Sequence, residues 1–275
     1  MHMVSAGGVD IPALGFGTWP SVGQEAFDIV KQALDVGYRH LDTAAFYNNE
    51  TEVGAALAAS GVKRQDVFLT TKVWKDQLAP GAVKASLEDS LRKLQTDYVD
   101  LFLVHWPNRD IPLQGTMAAM NGLLERGLTR AIGVCNFPAA LFERAQSLSK
   151  APLATDQMES HPLVTQRRVF AAVRRHRAAL TAYCPLARGK VLGNPVLEDI
   201  AKARGRDLGQ VVLRWLVQQP GVIAIPKTST PSRIASNLDV FSFELTPEEM
   251  ARIDALGRPD GRVVTFEPDY PWDPQ

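Results

Sequence analysis

The stretch SLEDSLRKLQTDYVDLFLVH, residues 86–105, decides the fold because it contains one helix and one strand of a repeating pattern. SLEDSLRKL is amphipathic at helical spacing, and VDLFLVH is a short apolar run rich in β-branched and aromatic residues. Ser86 with Asp89 three residues later predicts a capping box at the start of the helix. We therefore expect a helix followed by a buried strand, and this strand ends in a polar residue, His105.

The same alternation extends outward from this stretch in both directions, from about residue 25 to the C-terminal region. With VDLFLVH the apolar runs number eight, which predicts a (β/α)8 TIM barrel. The competing fold, a doubly wound open sheet, often carries G-x-G-x-x-G. This chain has Gly15 and Gly17 without a third glycine in place, and it has no P-loop. The other runs are YRHLDTA (38–44), VFLTTKV (67–73), RAIGVCNF (130–137), LATDQME (153–159), ALTAYCPL (179–186), GVIAIPK (221–227) and DVFSFEL (239–245).

The domain organisation follows from what separates these runs. No Pro-, Gly- or Ser-rich linker divides the chain, so we expect a single barrel domain over residues 1–275. The first fifteen or so residues precede the first barrel strand. Within them Gly7-Gly8 predicts the turn of a β-hairpin, which we expect to close the bottom of the barrel.

The composition excludes several classes of function. The 275 residues include thirty basic and thirty acidic side chains, which argues against a nucleic-acid or anionic-membrane partner. No apolar run is long enough to span a bilayer, and the N-terminus lacks the pattern of a signal peptide. The two cysteines, Cys135 and Cys184, fit neither a disulfide framework nor a zinc site, so we expect a cytoplasmic protein without a structural metal.

Polar side chains at the strand ends are the candidates for chemistry, because barrel enzymes carry their catalytic groups there. Asp42, Lys72 and His105 each stand at or near the end of an apolar run, and Tyr47 lies in the loop after the first run. Strand alternation allows the first three to converge inside the barrel. A lone Lys or His at such a position is usually structural, and an Asp–Lys pair can be a plain ion pair, so the prediction depends on the convergence of all four.

These four groups suit the reduction of a carbonyl. A free tyrosine has a pKa of about 10, which must fall for it to donate a proton well near neutrality. A charge about 4 Å away contributes on the order of 4 kcal/mol at an intermediate dielectric, so Lys72 is expected to lower the pKa of Tyr47. Asp42 would keep Lys72 charged. His105 would orient or polarise the carbonyl, and hydride would come from a cofactor.

Eight motifs follow one another along the chain: GFGTW, YRHLDTAAFYNNE, TTKVW, KLQTDYVDLFLVHWP, AIGVCNF, DQME, AYCPLARG and IPKTSTPSRIASNL. Because all of them occur in the order of one family, the chain resembles the aldo-keto reductases over essentially its whole length. Within that family it is most similar to the bacterial 2,5-diketo-D-gluconic acid reductases, which also reduce methylglyoxal, and RVVTFEPDYPWDP resembles their C-terminal tail. The resemblance places the family's catalytic Asp, Tyr, Lys and His on Asp42, Tyr47, Lys72 and His105.

The resemblance also implies a nicotinamide site. Asn136 and Gln157 match residues that bind the carboxamide, and Tyr183 matches the tyrosine that stacks on the ring. The family's serine before the asparagine is Cys135 here, and a thiol is a weaker donor.

The segment PKTSTPSRIASN predicts where a cofactor phosphate binds. Thr230 followed by Pro231 reads as the N-cap and first residue of a helix, and helix N-termini bind anions. The neighbouring cations and hydroxyls suit the 2′-phosphate of NADPH, and the resemblance adds an asparagine at the adenine. Ser236 stands where the family often has Glu. The predicted contacts are Lys227, Thr228, Ser229, Arg233 and Asn237.

Aromatic residues near the loops predict an apolar substrate pocket that takes a small-molecule carbonyl. They are Trp19, Phe46, Trp74 and Trp106, and Trp272 in the tail is a further candidate.

The sequence therefore predicts a monomeric, cytoplasmic, NADPH-dependent enzyme that reduces aldehydes or ketones, such as small dicarbonyls or keto sugar acids, with Tyr47 as general acid. Two alternatives remain open. One is a non-catalytic, redox-sensing NADP-binding protein on the same fold. The other is a barrel aldolase in which Lys72 forms a Schiff base.

Overall fold

The computed structural model describes residues 2–264, 266 and 270–274. Within these residues eight parallel strands form one sheet in which neighbours in space are neighbours in the chain. This order, with a helix between most successive strands, confirms the predicted (β/α)8 barrel. The barrel strands are β3 (Phe16–Gly17), β4 (His40–Asp42), β5 (Phe68–Val73), β6 (Val99–Val104), β7 (Thr129–Cys135), β8 (Thr155–Glu159), β9 (Ala179–Tyr183) and β10 (Val222–Ala224).

Hydrogen bonds between the first and last barrel strands close the sheet on itself. Ala224 N donates to Ala13 O at 2.9 Å, and Gly15 N donates to Ala224 O at 2.9 Å. Further up the barrel, Gly17 N donates to Pro226 O at 2.9 Å. These three hydrogen bonds join the two edges of the sheet, which is why a two-residue strand is enough to complete the barrel.

One of the eight predicted strands is wrong. DVFSFEL (239–245) forms no strand. The eighth strand is instead Phe16–Gly17, the first strand of the barrel, and its two residues are too few to be recognised as a strand in the sequence. The backbone of 239–245 bonds to side chains instead: Gln218 Oε1 accepts from Leu245 N at 2.9 Å, and Gln218 Nε2 donates to Leu245 O at 2.8 Å. Val240 and Leu245 are buried, so the apolar pattern reflects packing outside the sheet.

The helices surround the barrel, and most of them bury one apolar face. The helix Leu208–Val217 differs, because it is buried at every position from 210 to 217. The helix quoted first begins at Pro80 rather than at Ser86, because proline fits the first turn and leaves Ser86 in the helix interior. The capping box predicted at Ser86 is therefore wrong. The helices of the described chain are α1 (Gly23–Val36), α2 (Glu50–Ala59), α3 (Pro80–Leu94), α4 (Leu113–Glu125), α5 (Ala139–Leu148), α6 (Arg167–Arg175), α7 (Pro195–Arg204), α8 (Leu208–Val217), α9 (Pro231–Leu238) and α10 (Pro247–Asp254).

The predicted N-terminal hairpin is present and lies at the bottom of the barrel. Its antiparallel strands are β1 (Met3–Ala6) and β2 (Val9–Pro12), joined at Gly7 and Gly8. Gly7 lies so close to Ala154, just before β8, that an added Cβ would stand 2.5 Å from the Ala154 Cα. The hairpin therefore covers the N-terminal strand ends and leaves the opposite end of the barrel open.

No helix in the described part of the chain is long and apolar enough to cross a membrane. The same residues contain no group of His, Cys, Asp or Glu side chains that could hold a metal ion.

Candidate active site

The C-terminal ends of the strands open into a cleft of about 1050 Å³. Asp42 is the last residue of β4, and Tyr47 ends the one-turn helix Ala45–Tyr47 that follows it. His105 directly follows β6. All three line the cleft, while Lys72, in β5, lies behind them and is fully buried. The barrel thus brings the four predicted catalytic residues to one place.

Asp42 and Lys72 form a buried ion pair beneath the cleft. Lys72 Nζ donates to Asp42 Oδ1 at 2.5 Å and to Thr43 O at 2.8 Å. The second carboxylate oxygen, Asp42 Oδ2, accepts from Gln157 Nε2 at 2.7 Å. Burial by itself lowers the pKa of Lys72, but the charge and hydrogen bond of Asp42 together with the other neighbouring groups outweigh it, and the net direction is upward. The amine therefore stays protonated, as the sequence predicted.

Tyr47 differs from the expectation in its acidity. Lys72 Nζ lies 3.4 Å from Tyr47 Oη and favours the phenolate, yet burial of the hydroxyl raises the pKa of Tyr47 to about 12. The predicted fall of this pKa toward neutrality is wrong, because taking a phenolate out of water opposes ionisation more than one ammonium group favours it. Tyr47 consequently remains a protonated hydrogen-bond donor at neutral pH.

His105 is neutral in the same environment. Burial, with a smaller contribution from the charge of Lys72, holds the pKa of its imidazole well below the usual range. Its Nδ1 is buried without a hydrogen-bond partner in the described residues, and its ring packs edge-on to Tyr47 with centroids 5.4 Å apart. A neutral imidazole has one N–H to donate, which suits it to orient a carbonyl oxygen.

The three residues expected at the nicotinamide all line the cleft. Tyr183 Oη donates to Asn136 Oδ1 at 2.7 Å, and Asn136 Nδ2 donates to His105 O at 3.0 Å. The backbone of Asn136 adopts a positive φ of 62°, a conformation that asparagine tolerates better than most residues. Gln157, through its bond to Asp42, joins this group to the ion pair. Cys135 is the preceding residue, and it is buried.

At the far end of the cleft α9 presents its N-terminus. Thr230 is the N-cap and Pro231 the first residue, as predicted, although the Thr230 side chain makes no capping bond and its N–H is accepted by Thr228 Oγ1 at 3.1 Å. Lys227 and Arg233 line the cleft, and no carboxylate among the described residues pairs with either. Two cations without a counter-charge beside a helix N-terminus fit a bound phosphate.

The other residues predicted to contact the cofactor at this end differ in whether they line the cleft. Thr228 and Asn237 line the cleft, whereas Ser229 is exposed and is not part of its wall. The proposed contact of Ser229 with a cofactor therefore has less geometric support than the others.

Aromatic rings enclose the end of the cleft next to Tyr47 and His105. Phe46 stacks on Trp74 with centroids 3.8 Å apart, and Trp19 lies 5.8 Å from Phe46. The predicted pocket residues Trp19, Phe46, Trp74 and Trp106 all line the cleft. The wall here is almost wholly apolar, which suits a small organic molecule.

Phe266 completes this wall, although it was not predicted from the sequence. Its ring lies 5.3 Å from Trp74 and 5.6 Å from Trp106. The resemblance of the tail was the available signal, but residues 265 and 267–269 of that motif lie outside the described residues. Trp272 does not line the cleft and packs behind it, 5.7 Å from Trp106.

The loop after β9 and the start of α8 also line the cleft without having been predicted. The barrel rule that loops after strands form the site was the signal that could have found them. These residues are Cys184, Pro185, Leu186, Arg188, Gly189, Leu192, Asp207, Leu208 and Gly209.

Comparison with known proteins agrees with this geometry. A family model described as "Aldo/keto reductase family" matches residues 13–258. Glyoxal reductase of Bacillus subtilis (strain 168) is 40% identical over 257 residues, which are 93% of this chain and 92% of that protein. Methylglyoxal reductase DkgA of Escherichia coli (strain K12) is 38% identical over 265 residues, which are 94% of each chain.

Solved structures agree as well. A crystal structure provisionally named 2,5-diketo-D-gluconic acid reductase B superposes with a TM-score of 0.97 at 48% identity and covers 99% of this chain and 98% of its own. An aldo/keto reductase from Brucella melitensis superposes with a TM-score of 0.88 at 39% identity and covers 93% of this chain and 99% of its own.

Proposed function

The chain belongs to the aldo/keto reductase family, and from that premise we propose that it reduces small aldehydes and ketones to alcohols with NADPH. Membership makes it an oxidoreductase that acts on carbonyl groups with a nicotinamide cofactor. The identity of the cofactor, the roles of the residues and the substrate class are the further parts of the proposal.

The observation that supports the proposal best is the buried Asp42–Lys72 ion pair next to the phenol of Tyr47. Lys72 Nζ lies 2.5 Å from Asp42 Oδ1 and 3.4 Å from Tyr47 Oη. Of these three side chains, only the phenol of Tyr47 and the carboxylate of Asp42 line the cleft. An ammonium group placed behind a protonated phenol stabilises the phenolate that forms when the proton leaves. This arrangement supports proton donation to a substrate oxygen.

Tyr47, Lys72 and His105 have distinct roles in the proposed reduction. NADPH, when bound, supplies the hydride that the carbonyl carbon receives. Tyr47 gives its proton to the carbonyl oxygen, which leaves a phenolate facing Lys72, and solvent later returns a proton to that phenolate. A pKa of about 12 does not hinder this transfer, because an alkoxide oxygen is a stronger base than a phenolate. His105 orients the carbonyl through its N–H.

The preference for NADPH rests on Lys227 and Arg233. Both face the cleft at the N-terminus of α9, with Thr228 beside them. A phosphate on the ribose would receive two positive charges and the helix dipole there, whereas NADH lacks the group that these residues meet. Asn136, Gln157 and Tyr183 would hold the nicotinamide end, and Asn237 the adenine end.

The proposed substrates are small dicarbonyls such as methylglyoxal, with keto sugar acids second. The names of the relatives from B. subtilis and E. coli support the first class. The wall of aromatic rings near Tyr47 supports it too, since it offers contact area but few groups for hydroxyls or a carboxylate. A monomeric state and a cytoplasmic location complete the proposal.

The test follows NADPH absorbance with purified protein, methylglyoxal and a sugar keto acid, beside the same assays with NADH. We expect turnover with NADPH well above that with NADH, and a higher kcat/KM for methylglyoxal than for the keto acid. Tight NADPH binding without turnover on any carbonyl would favour the redox-sensing alternative. Trapping of a substrate on Lys72 by borohydride would favour the aldolase.

A further inference from the structure

Glu159, the last residue of β8, is a buried carboxylate that the proposed reaction does not use. It stands two residues after Gln157 on the same face of the strand, one layer closer to the rim, and pairs in register with Tyr183. Its side chain has no exposed surface. A carboxylate at such a depth needs several donors to be tolerated.

The donors to Glu159 come mostly from the C-terminal segment. Val263 N donates to Oε1 at 2.6 Å, Val264 N donates to Oε2 at 3.2 Å, and Arg262 Nη1 donates to Oε2 at 3.2 Å. From the barrel, His161 Nε2 lies 3.0 Å from Oε1. Among the described residues the barrel thus supplies one donor and residues 262–264 supply three. The carboxylate is well paired only while that segment is docked.

Two further contacts fix the path of this segment. Gly261 passes so close to the loop after β8 that an added Cβ would stand 2.0 Å from Leu163 O. The guanidinium of Arg262 lies 3.7 Å over the ring of Trp272, and Trp272 packs against Trp106. Arg262 therefore joins the buried carboxylate to the aromatic residues behind the substrate end of the cleft.

The segment leads directly into the cleft wall. Val264 and Phe266 both line the cleft, and Phe266 contacts Trp74 and Trp106. We propose that Glu159 is a positioning residue for substrate selection: it holds residues 262–264 so that Val264 and Phe266 form the outer wall of the substrate pocket. The inference rests on the proposed function for its effect on substrates, but not for the anchoring itself.

The anchoring is tested by amide hydrogen exchange of the segment 258–266. In Glu159→Gln an amide group replaces one acceptor oxygen and the negative charge is lost, so we expect exchange at Val263 and Val264 to rise at least about tenfold. The matched control is Glu143→Gln. Glu143 also binds an arginine and a histidine, Arg175 and His176, but on the surface of α5. Glu143→Gln should leave amide exchange in the segment 258–266 unchanged.

A second variant acts on the segment without touching the buried charge. Gly261→Ala forces the backbone away from Leu163, and it should produce the same rise in exchange at Val263 and Val264. Even if Glu159→Gln does not fold, this variant shows whether the docking of residues 262–264 is what protects these amides. Unchanged exchange in the variants that fold would overturn the anchoring.

The effect on selection is tested by comparing a small and a large substrate. Phenylglyoxal carries a ring that would extend to the outer wall, so its KM should rise about tenfold in both variants, which corresponds to about 1.4 kcal/mol. For methylglyoxal KM should change less than about twofold, as should kcat. Equal changes for both substrates would overturn a role in selection. Absence of turnover in the unaltered protein would instead refute the proposed function, while the exchange measurement would still decide the anchoring.

Discussion

At the scale of single residues, Tyr47 and Lys72 show that proximity alone does not set acidity. The two side chains lie 3.4 Å apart, and the ammonium group favours the phenolate. Burial nevertheless raises the pKa of the phenol, because the phenolate loses its hydration. The role of Lys72 is therefore to stabilise the phenolate after proton transfer rather than to ionise the phenol beforehand.

Replacing Tyr47 by phenylalanine should remove the proton donor and keep the ring. We expect Tyr47→Phe to lower kcat at least about a hundredfold, in the range typical of a lost general acid, while the Kd of NADPH stays within about twofold. Steady-state kinetics and a fluorescence titration measure both. Tyr98→Phe is the control, since the guanidinium groups of Arg64 and Arg130 both pack on the Tyr98 ring and this ring does not line the cleft. Normal turnover of Tyr47→Phe would exclude it from the mechanism.

The raised pKa of Tyr47 also predicts how reduction depends on pH. A pKa above the ordinary value keeps the phenol protonated over a wider range, so the donor is present below about 12 and is lost only as the pH approaches that value. We therefore expect kcat for reduction to remain flat from about pH 6 to about pH 9. A fall with an apparent pKa near 8 would instead support the sequence-based expectation that Lys72 lowers the pKa to near neutrality.

At the scale of elements, the N-terminus of α9 shows how a short helix can present an anion site. Pro231 begins the helix without a donor to lose, and Lys227 before the helix and Arg233 in its first turn both line the cleft. No carboxylate in the described chain neutralises them. This end of the cleft therefore carries two positive charges that no carboxylate of the described residues pairs with.

Removing either cation should weaken NADPH specifically. We expect Lys227→Ala and Arg233→Ala each to raise the KM for NADPH about tenfold and to leave the KM for NADH within about twofold, because only NADPH carries the 2′-phosphate. Lys84→Ala, on an exposed position of α3, is the control. Equal increases in the KM values for NADPH and NADH would show that these side chains contact a part that the two cofactors share.

At the scale of the whole molecule, the barrel separates stability from chemistry between its two ends. The hairpin β1–β2 covers the bottom, where Gly7 touches Ala154, and the cleft lies at the top. In barrels of this kind the bottom contributes to stability and the top carries the site. A change at the bottom should therefore affect the free energy of unfolding without affecting the kinetics.

Gly7 and Gly8 provide a matched pair for that prediction. Both have positive φ, but only an added Cβ at Gly7 meets neighbouring backbone, whereas the space at Gly8 is open. We expect Gly7→Ala to lower the free energy of unfolding by about 1–3 kcal/mol more than Gly8→Ala does, with KM and kcat unchanged in both. Denaturant titration and steady-state kinetics measure this. A change in KM at Gly7 would show that the two ends are coupled.

Local pattern was enough to predict the barrel, the hairpin and the places of the candidate catalytic residues. Strand periodicity, helix amphipathicity and the Gly7-Gly8 turn depend on residues close in the chain. Asp42, Lys72 and His105 stood out because each interrupts an apolar run at the end where parallel strands meet. The start of a helix at Thr230-Pro231, with Lys227 and Arg233 beside it, indicated the phosphate site in the same way. Resemblance to one family then added the nicotinamide contacts Asn136, Gln157 and Tyr183 and the adenine contact Asn237, which no local pattern indicates.

Tertiary structure alone decided the features that depend on distant neighbours. Phe16–Gly17 is a strand because Ala13–Gly17 meets Ala224–Pro226, and DVFSFEL is not one because that seam is already closed and Gln218 binds its backbone. The acidity of Tyr47 and the burial of Glu159 under residues 262–264 likewise arise only when distant segments exclude water from them. Local sequence determines which elements form, whereas long-range packing determines which polar groups lose their water and what must pair with them.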